Sequence, residues 1–140
     1  MIINPLEKGG TLLGEVDGKG KHLIIVCNSP IFYSEETPGY NAVLTVTVTS
    51  WKNNPKFNDS TCIFEEGEHP FIKHKSFVLY NRASPWRVDP LINKIENNEI
   101  KVLDHLSEEK IEEVLDGFEK SPYTDRRVLR FYKHYIKILR

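Results

Sequence analysis

The hydrophobic pattern changes period about two thirds of the way along the chain. Before that point apolar residues come in short runs separated by glycine, proline and asparagine, which is the rhythm of strands and turns. Gly10–Val16 reads as a short strand and the glycine-rich 17–22 segment as a hairpin turn. His22–Cys27 is a continuous apolar run of strand length, expected to be central and buried. Residues 28–40, with Pro30, Pro38 and Gly39, read as a loop. In Val43–Thr49, Val46 and Val48 alternate with Thr45, Thr47 and Thr49, which predicts a strand with one face inward. A polar loop over 52–60 follows, then strands at Thr61–Phe64 and Ser76–Ala83 with a bend at 65–70 between them. Short strands of this kind predict a small barrel or sandwich.

The last third has helical spacing. Asp89-Pro90 is expected to open a helix reaching about Asn97, and Ile100–Leu103 to return as an edge strand. Ser107 is the expected cap of a helix, with Leu106 and Ile111 spaced as a hydrophobic staple and Ile111, Val114, Leu115 and Phe118 as its apolar stripe. Ser121-Pro122 ends it. A final helix starts at Thr124 or Asp125, with Val128, Tyr132, Tyr135 and Leu139 on one face and Arg126, Arg130, Lys133, Lys137 and Arg140 on the other. Three readings of that basic face stand: a docked helix with solvated charges, a phosphate-backbone surface, or a membrane-surface helix.

A length of 140 residues fits one domain whose core needs neither disulfide nor metal. The opening MIINPLEKGG has no basic stretch before an apolar one, so no secretory signal is expected, and no apolar run reaches the ~20 residues of a membrane span. Cys27 and Cys62 sit in apolar surroundings and read as buried thiols of a cytoplasmic protein. The net charge of −1 conceals an asymmetry. Residues 96–119 hold nine acids against Lys101 and Lys110, while residues 124–140 hold six Arg and Lys against Asp125 alone.

Candidate chemistry concentrates around one predicted hairpin. His69, Lys73, His74, Lys75, Tyr80 and Arg82 lie within fourteen residues of each other, and Thr49 and Ser50 end a neighbouring strand. RNA cleavage without a metal needs a base for the 2′-hydroxyl, an acid for the leaving oxygen, and cations or donors for the charge that grows on the phosphoryl oxygens. Histidine suits both proton roles near neutral pH, lysine and arginine the third, and strand-end hydroxyls can orient the phosphate. Cys62, His69 and His74 match no zinc spacing, and no cofactor is expected. Phosphate loops of the GxxxxGK kind are absent.

The order of elements resembles the MazF/PemK toxin family of small SH3-like barrels. Gly10-Thr11, the run HLIIVCNSP (22–30) and above all VLTVTVTSW (43–51) carry the likeness, which spans roughly residues 9–120; Lys21-His22 stands where the family usually has Arg-Pro. The resemblance implies an α+β fold, an SH3-like β-barrel with C-terminal helices over 1–121; the basic amphipathic helix over 122–140 lies outside the likeness and is expected to pack on the same domain or extend from it. It also implies a cytoplasmic homodimer that cleaves single-stranded RNA without metal and is held by an antitoxin protein. Thr49 and Ser50 match the family's RNA-lining hydroxyls, and Arg82 lies nearest its late-strand arginine. The expected catalytic set is then His74, Arg82, Lys73 and His69. Thr49, Ser50, Tyr80 and Lys75 are expected to bind substrate. The alternative is a non-catalytic SH3-like barrel that binds nucleic acid or a protein partner.

Overall fold

The computed structural model describes residues 4–16, 18 and 20–140. Met1–Ile3, from the stretch read for a signal, and Asp17 and Lys19, from the predicted hairpin turn, lie outside the described residues. The strands are β1 (Thr11–Glu15), β2 (Lys21–Val26), β3 (Ile31–Tyr33), β4 (Tyr40–Ser50), β5 (Ile63–Phe64), β6 (Ser76–Arg87) and β7 (Lys101–Leu103). They form one antiparallel sheet, curled into a half-barrel, in the order β5-β6-β4-β2-β1-β7, with β3 also on β4. The helices are α1 (Val88–Glu96), α2 (Glu108–Lys120) and α3 (Arg126–Phe131), so the class is α+β. None is long and apolar enough to cross a membrane.

The sheet is covered on both faces. On one, Leu23, Ile25, Leu44, Val46, Val48 and Val78 share a core with Ile111, Val114, Leu115 and Phe118 of α2 and with Val128, Phe131, Tyr132 and Ile136 of the C-terminal segment. On the other, Leu12, Ile24, Val26 and Val43 pack with Val88 and Leu91 of α1 and with Ile100. Every residue from Ala42 to Val48 is therefore buried, where the Val/Thr alternation predicts one inward face. The threonines tolerate this through hydrogen bonds such as Thr45 Oγ1 to Ser84 O at 3.1 Å.

Other elements depart from the sequence reading. β3 lies inside the expected 28–40 loop because β4 begins at Tyr40 and offers it a pairing edge. β6 runs four residues past Ala83, through a bulge: between the pairs Thr45↔Ser84 and Thr47↔Leu79, the four residues Tyr80–Ala83 oppose Val46 alone. α1 starts at Val88 after Arg87, so Asp89 lies in its first turn and is not its cap. Ser107 and Asp125 do cap their helices, accepting from the N–H groups of Lys110 and Val128. After Phe131 the final helix widens, and the Lys137 N–H bonds back five residues to Tyr132 O. The wide turn shifts the apolar stripe onto Phe131 and Ile136 and leaves Leu139 72% exposed.

Candidate functional site

Ser50 ends β4, and β6 begins at Ser76 directly opposite. The chain entering β6 folds His74 back onto that strand end, where its Nε2 lies 2.7 Å from Ser50 Oγ. The pair belongs to a cleft of about 360 Å³ lined by Lys21, His22, Val48, Thr49, Ser50, Phe71, Ile72, Lys73, His74 and Ser76. Buried Val48 and Ile72 form its floor, while His74 and Lys73 are exposed at its rim. Two imidazoles, two ammonium groups and two serine hydroxyls thus share one concavity, with no carboxylate among its described lining residues. The Ser76 hydroxyl donates to His74 O at 2.9 Å, which fixes the backbone that presents the ring.

Of the expected catalytic residues, His74 and Lys73 line the cleft, and Arg82 and His69 do not. Arg82 is exposed on the β6 bulge opposite Val46, about 13 Å along β4 from Ser50 at the usual rise per residue. His69 is 2% exposed and its ring is fully engaged. Its Nδ1 accepts the Phe71 N–H at 3.0 Å, so the hydrogen sits on Nε2, which donates to Asp104 O at 2.9 Å and lies 3.0 Å from Thr11 Oγ1. His69 therefore clamps the 65–72 bend to β1 and to the residue after β7, a structural position and not a solvent-facing one.

The expected substrate-binding residues divide in the same way. Ser50 and Thr49 both line the cleft, but strand alternation turns their side chains to opposite faces, and Thr49 Oγ1 accepts from Lys52 Nζ at 3.4 Å. Lys75 lies just outside, its ammonium 4.2 Å from the Trp51 ring centre, and the Trp51 N–H donates to Lys75 O at 3.0 Å. Tyr80 is a core residue. Its side chain is fully buried, its hydroxyl donates to Val114 O at 2.6 Å, and burial pushes its ionisation well above the usual phenol range. α2 can lie so close over it because of Gly117, where a Cβ would come within 1.8 Å of the Tyr80 hydroxyl.

Lys21 and His22 are the basic lining residues that the sequence reading did not nominate. Antiparallel counting finds them: the pair Leu23↔Val48, continued two residues, sets Lys21 across from Ser50 and His22 across from Thr49. Both cysteines are buried and without a disulfide. Burial raises both thiols, and the bond from Cys62 Sγ to Glu113 adds to the rise there, which keeps them in the unreactive thiol form. Among the described residues no cluster of three or more His, Cys, Asp and Glu is placed to hold a metal ion.

The basic tail is a different environment. Arg140 bonds Glu112, Asp116 at 3.0 Å and the Tyr132 hydroxyl at 2.7 Å, Lys137 pairs with Glu119 at 2.8 Å, Arg127 pairs with Glu36, and His134 lies 3.1 Å from Glu35. The acidic run and the basic run found in the sequence thus meet at Lys137 and Arg140, which pair with Glu112, Asp116 and Glu119, while Arg127 and His134 turn to Glu36 and Glu35. No protein-family model, characterised protein or solved structure matches the chain.

Proposed function

We propose that the chain is a metal-independent endoribonuclease of the MazF/PemK-like toxin kind, an SH3-like barrel acting on single-stranded RNA in the cytoplasm. The observation that carries the reading is the Ser50–His74 contact of 2.7 Å inside a cleft that also holds Lys21, His22 and Lys73. A phosphodiester seated there meets an imidazole, a hydroxyl to orient it and two ammonium groups. One histidine removes the 2′-hydroxyl proton, the 2′-oxygen attacks the adjacent phosphorus, and the P–O5′ bond breaks as an acid protonates O5′. The products are a 2′,3′-cyclic phosphate and a 5′-hydroxyl end. His74 is the first candidate for proton transfer and His22 the second, with Lys21 and Lys73 opposing the charge on the phosphoryl oxygens. Arg82, His69 and Tyr80 have no part in this scheme. A homodimer and an antitoxin partner belong to the same proposal.

The second reading, a non-catalytic barrel that binds nucleic acid or a protein, draws on the His74 ring: among the described residues Ser50 is its sole side-chain partner, and no carboxylate orients it. Incubating single-stranded RNA with the protein in EDTA separates the two. Cyclic-phosphate ends that form with the native chain and are lost in His74→Ala support the nuclease. Salt-sensitive binding without any cleavage supports the binding module.

A further inference from the structure

We infer that the slot between the 51–58 loop and β6 receives one unpaired nucleobase of a single-stranded nucleic acid whose phosphate occupies the Ser50–His74 cleft. This inference rests on the reading above and adds where the base goes. The slot has a volume of about 150 Å³ and is lined by the rings of Phe57, Phe77 and Tyr123, by Lys56 and Leu79, and by the side-chain amides of Asn58 and Asn81. Exposed aromatic rings with an amide edge suit a heterocycle: Phe57 and Tyr123 offer faces for it to stack on, and the exposed Asn81 amide reaches its donors and acceptors.

The loop is built to hold that shape. Lys52 N–H donates to Asn58 Oδ1 at 2.7 Å and Asn58 Nδ2 donates to Lys52 O at 2.9 Å, closing the loop upon itself. Asn54 caps the single turn Pro55–Phe57 by accepting the Lys56 N–H at 3.2 Å. The result holds Phe57 61% exposed and leaves Tyr123 51% exposed beside it. Trp51 joins slot to cleft. It follows Ser50 in the chain, and its ring meets Phe77 edge-on at 5.8 Å.

Charge selects the occupant. Residues 50–58 and 69–82 contain Lys52, Lys56, Lys73, Lys75 and Arg82 and not one Asp or Glu. Among the described residues none of these four lysines is in an ion pair. Asp59, the one carboxylate in the slot lining, is already bonded by the Thr61 N–H at 2.9 Å and the Ser121 hydroxyl at 2.6 Å. Aromatic faces beside unpaired cations fit single strands, whose bases are free to stack on protein, better than duplexes, whose bases are already stacked.

The test uses the full chain with Trp86→Phe, so that Trp51 is the sole tryptophan, and titrates its fluorescence with two uncleavable oligomers of equal length. One is a 2′-deoxyoligonucleotide and the other its abasic sugar-phosphate counterpart. The base-bearing oligomer should bind about tenfold tighter, and Phe57→Ala should remove most of that preference while leaving the abasic affinity unchanged. Phe57 is exposed, so its loss leaves the core intact; Tyr123→Ala gives an independent second variant. Equal affinity for the two oligomers, or a preference untouched by both variants, overturns the slot. RNA cleavage in EDTA is scored separately. Cleavage with no base preference sinks the slot alone, whereas a base preference with no cleavage keeps the slot and sinks the nuclease.

Discussion

The C-terminal tail and the strand end around Ser50 are both rich in cations, but they use them differently. In the tail, Arg127, Lys137 and Arg140 are joined to Glu36, Glu119, Glu112 and Asp116, and the segment's apolar side is sealed into the core by Phe131, Tyr132 and Ile136. Around Ser50, Lys73 and Lys75 stand in a stretch that has no acid of its own. A cation already paired has little potential left for a phosphate, whereas an unpaired one beside a concavity projects its field outward. Local composition is therefore a poor guide to an anion site. In the more basic of the two segments, three of the six Arg and Lys side chains are answered from within.

Substitutions sharpen the contrast, the largest effect first. Phe131→Ala should cost about 3–5 kcal/mol, read as a lower midpoint in urea, because it empties a fully buried ring position that stacks edge-on against Tyr33 at 4.8 Å. A near-neutral result would mean that the tail is not part of the core. His74→Ala should lower RNA cleavage by about 10²–10³ with the melting temperature unchanged, since the side chain is exposed. His69→Leu should do the reverse, costing about 1–3 kcal/mol of stability by leaving the part-buried Phe71 N–H without its acceptor and Asp104 O with the Thr11 hydroxyl alone. Lys73→Gln should weaken RNA binding and reduce the salt slope by about one unit, while Lys137→Gln should leave both unchanged. If the two lysines behave alike, the contrast fails.

The smallest effect is on acid stability. Hydrogen bonds from Lys8 and Arg140 hold the Glu112 carboxyl below its ordinary value of 4.5. A carboxyl lowered by folding adds stability that is complete above the unfolded value and is lost as pH falls through the folded one. Arg140→Gln should therefore reduce the melting temperature slightly at neutral pH, by the equivalent of under about 1 kcal/mol for an exposed ion pair. That difference should fade as pH drops below about 4.5. A difference that grew in acid would contradict the pairing.

Local signals in the sequence foretold what local physics governs. The α2 stripe of Ile111, Val114, Leu115 and Phe118 is buried as its spacing predicts, and Ser107 and Asp125 cap their helices through their own side chains. Ser50 and His74 were legible as residue types, though their meeting depends on β4 and β6 pairing at Ser50↔Ser76. Three features needed information from far along the chain. His69 is buried because Thr11 and Asp104, 58 and 35 residues away, supply its partners. Tyr80 turns inward and Arg82 outward because a bulge interrupts the β6 alternation, and no proline or glycine within Tyr80–Ala83 marks it. The wide turn at Tyr132–Ile136 moved the tail's stripe by the same kind of slip in register. Lys21 and His22 were within reach, since matching the apolar runs of β2 and β4 in antiparallel order carries them to the Ser50 end.

One titration tests the central claim, that the strand end and not the tail is the phosphodiester site. Backbone amide spectra of the full chain are followed as an uncleavable single-stranded 2′-deoxyoligonucleotide is added at low salt. The amides of Lys21, His22, Ser50, Lys73 and His74 should shift together and saturably, with residues 126–140 unmoved. Shifts confined to the tail, or none in the cleft at saturating oligonucleotide, would contradict it.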